Sequence, residues 1–229
     1  MSENEAQPDV AEAWATGHVS FMGVELEVGP GALVPRVETE LVGGAVVKLL
    51  EALAGAPFVI DMCCGAGNLA CAIAAKVPTA TVWASDLTDG CVTLSRRNVE
   101  RLGLSKRVRV FQGDLFEPLR AEVPTGKVDV IVCNPPYIST GKLETDRKTL
   151  LENEPREAFD GGPYGLSIHQ RVIREAVELL RPGGSLAFEF GLGQERQMKA
   201  LFDRSRAYGE VRFLNNAAGA PRAVVATRP

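Results

Sequence analysis

The sequence predicts an α/β fold: a mainly parallel sheet with helices on both faces, a C-terminal antiparallel hairpin, and a small β-hairpin in front. Three observations predict it. Short apolar runs at 58–62, 81–85, 108–112, 128–133 and 185–190 alternate with helical stretches at 69–75, 89–102, 166–180 and 194–205. The last two runs, 210–215 and 223–227, are joined by a short Ala/Gly/Pro loop, too short for a helical crossover, so they pair antiparallel. Near the start, HVSFMGVELEV alternates around Met22-Gly23, the pattern of a hairpin.

The elements divide the chain into three parts. Residues 1–17 are polar and read as a flexible segment with a short helix around 11–15. Residues 18–37 carry the hairpin and a Gly- and Pro-rich loop, GPGALVPRV. Residues 38–229 form the main domain, opening with a helix whose Leu41, Val42, Ala45, Val46, Leu49 and Leu53 recur at three- and four-residue spacing.

Composition narrows the function. The 229 residues are 45% apolar and 24% charged, in the range of globular proteins and unlike disordered or fibrous chains. The acidic first twenty residues lack the apolar core of a secretory signal, and no apolar run is long enough to span a bilayer. A cytoplasmic protein with no membrane partner is expected. Lys and Arg number 25 against 29 Asp and Glu, a net charge of −4, which argues against a nucleic-acid partner. The five cysteines form no C-x-x-C pair and only two histidines are present, so no metal site is expected and the thiols read as reduced.

In an open α/β sheet, ligands bind beyond the carboxyl ends of the strands. The first run leads into Asp61-Met62-Cys63-Cys64-Gly65-Ala66-Gly67-Asn68, where two glycines at a strand-to-helix turn bring backbone N–H groups close to a ligand. A turn of this kind is also a plain tight connection, and it lacks the full G-x-G-x-x-G. The second run ends at Asp86, nineteen residues after Gly67, a placement that suits two ribose hydroxyls or, equally, a carboxylate capping the next helix. The third ends in Gly113-Asp114-Leu115-Phe116, an acid with apolar neighbours that suits an adenine amino group and ring. The fourth ends in Asn134-Pro135-Pro136-Tyr137. Two prolines remove two donors, so this turn presents the Asn134 side-chain oxygen and the Pro135 carbonyl beside a flat ring, a match for a planar N–H2 group.

Taken together, these residues resemble the class I S-adenosylmethionine-dependent methyltransferases, Rossmann-like proteins with a seven-stranded sheet. The match is closer to the HemK/PrmC type, which methylates a glutamine side-chain nitrogen in peptide-chain release factors. Three further segments carry the likeness: 32–40, with Pro35-Arg36-Val37-Glu38-Thr39-Glu40; 154–166, from Glu154-Pro155-Arg156 to Gly165-Leu166; and 180–194, with Arg181-Pro182-Gly183-Gly184, Glu189 and Gln194. The resemblance implies that 38–229 is the methyltransferase domain and that the loop within 18–37 covers the cofactor. It implies S-adenosylmethionine at Asp61, Cys63, Cys64, Gly65, Ala66 and Gly67, with Asp86 and Leu87 at the ribose. By the same resemblance, Asp114 and Leu115 are expected to flank the adenine, with Pro35, Thr39 and Asn134 completing the cofactor site. It further implies Asn134, Pro135 and Tyr137 as the catalytic set, and Arg36, Glu38, Pro136, Tyr137 and Glu154 as residues that face the acceptor.

Two departures from the family pattern stand out. Cys63 occupies a position that is usually Gly, and about seventeen residues precede the hairpin where release-factor enzymes carry a helical docking domain. The acceptor is therefore read two ways: a protein glutamine by resemblance, or a small molecule, including alkyl transfer or ring closure with S-adenosylhomocysteine as leaving group. Nucleic-acid adenine methylation ranks below both, because a base-extruding enzyme needs a basic surface.

Overall fold

The computed structural model describes residues 8–145, 150–151 and 154–229. The N-terminal helix α1 (Pro8–Thr16) is longer than the 11–15 expected, with Pro8 at its first position and Ala13 buried. The part of the flexible segment before Pro8 lies outside the described residues. Strands β1 (His18–Phe21) and β2 (Val24–Glu27) pair antiparallel across Met22 (φ 50°) and Gly23 (φ 79°). Two positive φ values in a two-residue loop match the right-handed twist of the flanking strands. Phe21 and Leu26 point from the hairpin into the core.

A 3-10 turn at Val37–Thr39 leads into α2 (Glu40–Glu51). Then come β3 (Phe58–Met62), α3 (Asn68–Lys76), β4 (Thr81–Asp86), α4 (Asp89–Arg101), β5 (Val108–Gln112) and β6 (Val128–Cys133). The chain continues through α5 (Thr140–Thr145), α6 (Ser167–Leu179), β7 (Leu180–Glu189), α7 (Glu195–Ser205), β8 (Val211–Asn215) and β9 (Pro221–Thr227). Helix α5 is unannounced by periodicity because only Leu143 among its residues is buried.

The main sheet has seven strands in the order β5-β4-β3-β6-β7-β9-β8. The first five are mutually parallel, and β9 runs antiparallel to both β7 and β8, as the short C-terminal connection requires. Strand order turns outward from β3 in one direction and from β6 in the other, so a crevice opens beyond the carboxyl ends of these two neighbours. Alternate residues serve opposite faces. Val59, Val82, Val130 and Val132 meet α2, α3 and α4, whereas Ile60, Met62, Ile131 and Phe188 meet α6 and α7. Each such side chain, fully removed from water, contributes about 1.5–3 kcal/mol.

Strand β7 starts five residues before the expected 185. Val128 pairs with Leu180 but Val130 pairs with Ser185, so the stretch between them bulges opposite Asp129. The Asp129 carboxylate explains the bulge: Oδ1 accepts from Arg181 Nε at 2.5 Å and Oδ2 accepts from the Phe58 amide at 2.8 Å. One side chain thus ties the starts of β3, β6 and β7.

His169 on α6 is fully buried, with Nε2 2.9 Å from the Glu189 carbonyl and its ring against Phe188. Burial holds its pKa down at about 4, so it is neutral in the native protein and gains its proton only on unfolding. Because the folded pKa lies below the unfolded one, the contribution is complete above pH 6.5 and is lost as pH falls toward 4. Between pH 7 and pH 5 it removes about 2 kcal/mol of stability. Urea unfolding at both pH values should show this loss, and His169→Phe should show a pH dependence shallower by that amount.

Candidate active site

Four strand ends meet at the crevice. At the end of β3, buried Asp61 accepts from the Ala70 amide at 2.9 Å through Oδ2 and so fixes the first turn of α3. Its other oxygen, Oδ1, is buried and has no hydrogen-bond partner among the described residues. Burial is the main cause of a pKa raised to about 8; the Ala70 N–H opposes it and nearby Asp86 adds to it. Beyond Asp61 the chain enters the left-handed region at Cys63 (φ 56°), Gly65 (φ 54°) and Gly67 (φ 80°). Gly67 is required twice over, because a Cβ there would lie 2.5 Å from Ser95 Oγ. Cys63 adopts the conformation with a side chain, a strain of order 1 kcal/mol.

Long-range contacts hold this turn in place. On buried Asn98 of α4, Nδ2 donates to the Ala66 carbonyl at 3.0 Å and to the Glu27 carbonyl at 3.0 Å, while Oδ1 accepts from the Glu27 amide at 2.8 Å. The N-terminal hairpin, α4 and the Gly-rich turn are thereby one unit. At the end of β4, Asp86 Oδ2 accepts from the Gly65 amide at 2.8 Å, so the second strand end also braces the first. At the end of β5, Asp114 pairs with Arg171 at 2.9 Å, and Leu115 sits at φ 49° with its carbonyl accepting from Ser85 Oγ at 3.2 Å.

At the end of β6, Asn134 Nδ2 donates to Thr39 Oγ1 at 2.9 Å, and Thr39 Oγ1 donates to Glu189 Oε2 at 2.7 Å. Glu189 Oε1 accepts from the Tyr137 hydroxyl at 3.1 Å and from Arg222 Nη2 at 3.2 Å. Burial pushes the Glu189 carboxyl upward, against the pull of the Arg222 cation and the Thr39 and Tyr137 hydroxyls. Three donors, one of them a guanidinium, identify it as a carboxylate. The Tyr137 phenol is pushed upward by the same burial and by Glu189, so it is neutral and can donate.

These ends enclose a cavity of about 280 Å³. Of the residues singled out in the sequence, Asp61, Cys63, Cys64, Gly65, Asp86, Leu87, Asp114, Leu115, Asn134, Pro136, Pro35, Arg36 and Thr39 line it. Ala66, Gly67 and Pro135 are buried and do not line it. The Tyr137 hydroxyl turns into the Glu189–Arg222 cluster, with the Arg222 guanidinium 5.5 Å from its ring centre. Glu38 is exposed outside the cavity. Glu154 is buried, accepting from the Val34 amide at 2.9 Å and pairing with Arg36 at 2.5 Å.

The sequence reading missed Ser95, Asn98, Arg171 and Arg222, all of which reach the site from helices or the far hairpin. None carries a local signal: Arg222, for one, precedes the Ala223 that pairs with Glu189 only once the C-terminal hairpin is docked on β7. Among the described residues no group of metal-ligating side chains occurs, and no helix is long and apolar enough to cross a membrane.

Known proteins similar to this chain show its family. The methyltransferase small domain family matches residues 43–164. The release factor glutamine methyltransferase of Moorella thermoacetica is 38% identical over 215 residues, covering 94% of this chain and 74% of that protein. The 4-amino-L-phenylalanine/4-methylamino-L-phenylalanine methyltransferase of Streptomyces pristinaespiralis is 38% identical over 190 residues, 81% of this chain and 63% of that protein. Two solved structures share the fold. The N-terminal domain of human METTL16 in complex with SAH superposes with a TM-score of 0.63 at 17% identity, over 90% of this chain and 76% of that one. A methyltransferase from Pyrococcus furiosus gives 0.60 at 20%, over 96% and 93%. Identity at this level across most of the sequence, joined to a Gly-rich, acidic, acidic and Asn-Pro-Pro-Tyr series of strand ends around one cavity, places the chain in the HemK/PrmC-type class I S-adenosylmethionine-dependent methyltransferases.

Proposed function

We propose that this chain methylates a protein glutamine at its side-chain amide nitrogen, in a release factor of the kind its Moorella relative is named for, and acts in the cytoplasm. The observation that carries the reading is the Asn134 side chain. Its Nδ2 is committed to Thr39, which leaves Oδ1 as the acceptor at the cavity wall. Pro135 and Pro136 have no N–H, so the turn offers its carbonyls without a competing donor.

The cavity residues fit the cofactor. Asp61 Oδ1, buried and unpartnered among the described residues, is the oxygen an ammonium group would satisfy. Asp86 stands where ribose hydroxyls would be bound, with Leu87 beside it, and Asp114 and Leu115 flank the space for the adenine. Cys63, Cys64 and Gly65 line the cavity beside Asp61, with Ala66 and Gly67 shaping the turn from behind. Pro35 and Thr39 approach from the covering loop. Arg36 and Pro136 face the acceptor, and Glu154 serves it by fixing Arg36. Glu38 and Tyr137 border the acceptor site without lining the cavity.

S-adenosylmethionine supplies its methyl group already activated as a sulfonium, so the chain contributes mainly positioning. An amide nitrogen is a weak nucleophile because its lone pair is delocalised. Asn134 Oδ1 and the Pro135 carbonyl, accepting its two protons, favour the transition state in which positive charge grows on nitrogen. The Streptomyces relative favours a second reading, since the amino group of an aromatic amine presents the same two protons to the same two acceptors.

The deciding experiment incubates the protein with S-adenosylmethionine and purified release factors and weighs the tryptic peptides. A one-methyl gain on a glutamine is expected. Its absence, with cofactor binding verified in the same sample, would overturn the glutamine reading, and transfer to 4-amino-L-phenylalanine would establish the second one. At saturating S-adenosylmethionine, Asn134→Ala should lower turnover about 100-fold or more; full turnover would reject the acceptor assignment.

Asp61 makes cofactor binding pH-dependent. With its pKa at about 8 in the free protein, the carboxyl must lose a proton to pair with the ammonium. Affinity should therefore rise between pH 6 and pH 8, by up to about tenfold per unit, and level off above. Calorimetry in buffers of different ionisation enthalpy should detect the released proton at pH 7, and Asp61→Asn should abolish it.

A further inference from the structure

We propose that Glu189 is a positioning residue for methyl transfer: through Thr39 it dictates which end of the Asn134 amide faces the acceptor. The inference rests on the acceptor role of Asn134 and extends it to Glu189, which does not line the cavity. Register brings the parts together. Cys133 pairs with Phe188 across β6 and β7, so Asn134 and Glu189 leave the sheet side by side.

The logic is one of proton counting. A threonine hydroxyl has one proton to give. Thr39, fully buried, gives it to Glu189 Oε2, a carboxylate oxygen with nothing to donate. Its oxygen is then an acceptor toward Asn134 and takes the Nδ2 proton. An Asn134 flipped by 180° would set its Oδ1 against that oxygen, with no proton between them. The relay therefore has one polarity, and its source is the charge on Glu189.

Arg222 and Tyr137 secure that charge from the other side. Arg222 donates to both Glu189 Oε1 and the Tyr137 hydroxyl, at 3.2 and 3.1 Å, and Tyr137 donates to the same Oε1. These contacts decide what a neutral isostere does. In Glu189→Gln, the guanidinium demands the amide oxygen, so the Gln NH2 turns to Thr39. Thr39 must then give its proton to Asn134, which presents Oδ1 to Thr39 and its NH2 to the acceptor. Two donors would then face each other across the reacting nitrogen. In Thr39→Val the link is cut, while Glu189 keeps Arg222 and Tyr137.

The test has two arms. The first needs no acceptor: the side-chain NH2 resonances of Asn134, assigned by their loss in Asn134→Ala, are followed in 15N-labelled protein with S-adenosylhomocysteine bound. The downfield, slowly exchanging proton expected in the native protein should move upfield and exchange rapidly in Thr39→Val and in Glu189→Gln. Thr39→Ser should restore it. Unchanged Asn134 resonances in both folded variants would overturn the proposal. The second arm measures S-adenosylhomocysteine formation with release factor as acceptor. At saturating S-adenosylmethionine both variants should lose about tenfold or more in kcat, equivalent to one hydrogen bond at roughly 1.4 kcal/mol, and Thr39→Ser should recover most of the rate. If Asn134→Ala is inactive while Glu189→Gln and Thr39→Val match the native kcat, the relay is wrong and the acceptor reading stands. If Asn134→Ala is itself fully active, the acceptor reading fails.

Discussion

A carboxylate cannot be left unpaired in a protein interior, and Glu189 at the end of β7 is buried with only 3% of its side chain exposed. Its partners come from three separated parts of the chain: Thr39 before α2, Tyr137 after β6, and Arg222 in the C-terminal hairpin. Satisfying one charge thus docks the segment before α2, the Asn-Pro-Pro-Tyr turn and the last strand pair against each other. Removing any one donor leaves the charge short of a hydrogen bond in a low-dielectric site, where that loss is costly. Thr39 also links the segment before α2 and the Asn134 side chain to the same carboxylate.

The other half of the site is set by backbone conformation. Cys63 and Leu115 are two of the four described residues other than glycine with positive φ, and both line the cavity. Such strain persists only where surroundings over-determine it. Here Asp86 holds the Gly65 amide, Asn98 holds the Ala66 carbonyl and Ser85 holds the Leu115 carbonyl. The turn is held by contacts within the chain, and such bracing lowers the cost of binding. Asp61 adds the opposite element, an acid whose burial disfavours its charge until a cation comes near.

Much of this was legible in the sequence because it is local. Alternating periods show strands and helices, and the end of a parallel strand is recognisable from the turn residues next to it. That is how Asp61, Asp86, Asp114 and Asn134 could be named, and all four line one cavity. The features that could not be read depend on pairing across the fold. Asn98 lies mid-helix and looks like an ordinary polar residue until the hairpin packs on it. Arg222 meets Glu189 only through the antiparallel register of β7 and β9. The early start of β7 results from a bulge set by Asp129 and Arg181, far apart in sequence. Tyr137 was read from its flat ring, whereas its hydroxyl proves the more informative end, being tied to Glu189 and Arg222.

The proposed methyl transfer requires one cavity, beyond β3, β4, β5 and β6, to hold cofactor and acceptor together. A crystal structure of the protein with S-adenosylhomocysteine tests this most directly. The expected result is ribose hydroxyls on the Asp86 carboxylate, the homocysteine amino group at Asp61 Oδ1, and the sulfur directed toward Asn134. A cofactor bound with its ribose away from Asp86, or its sulfur turned away from Asn134, would contradict a shared cavity.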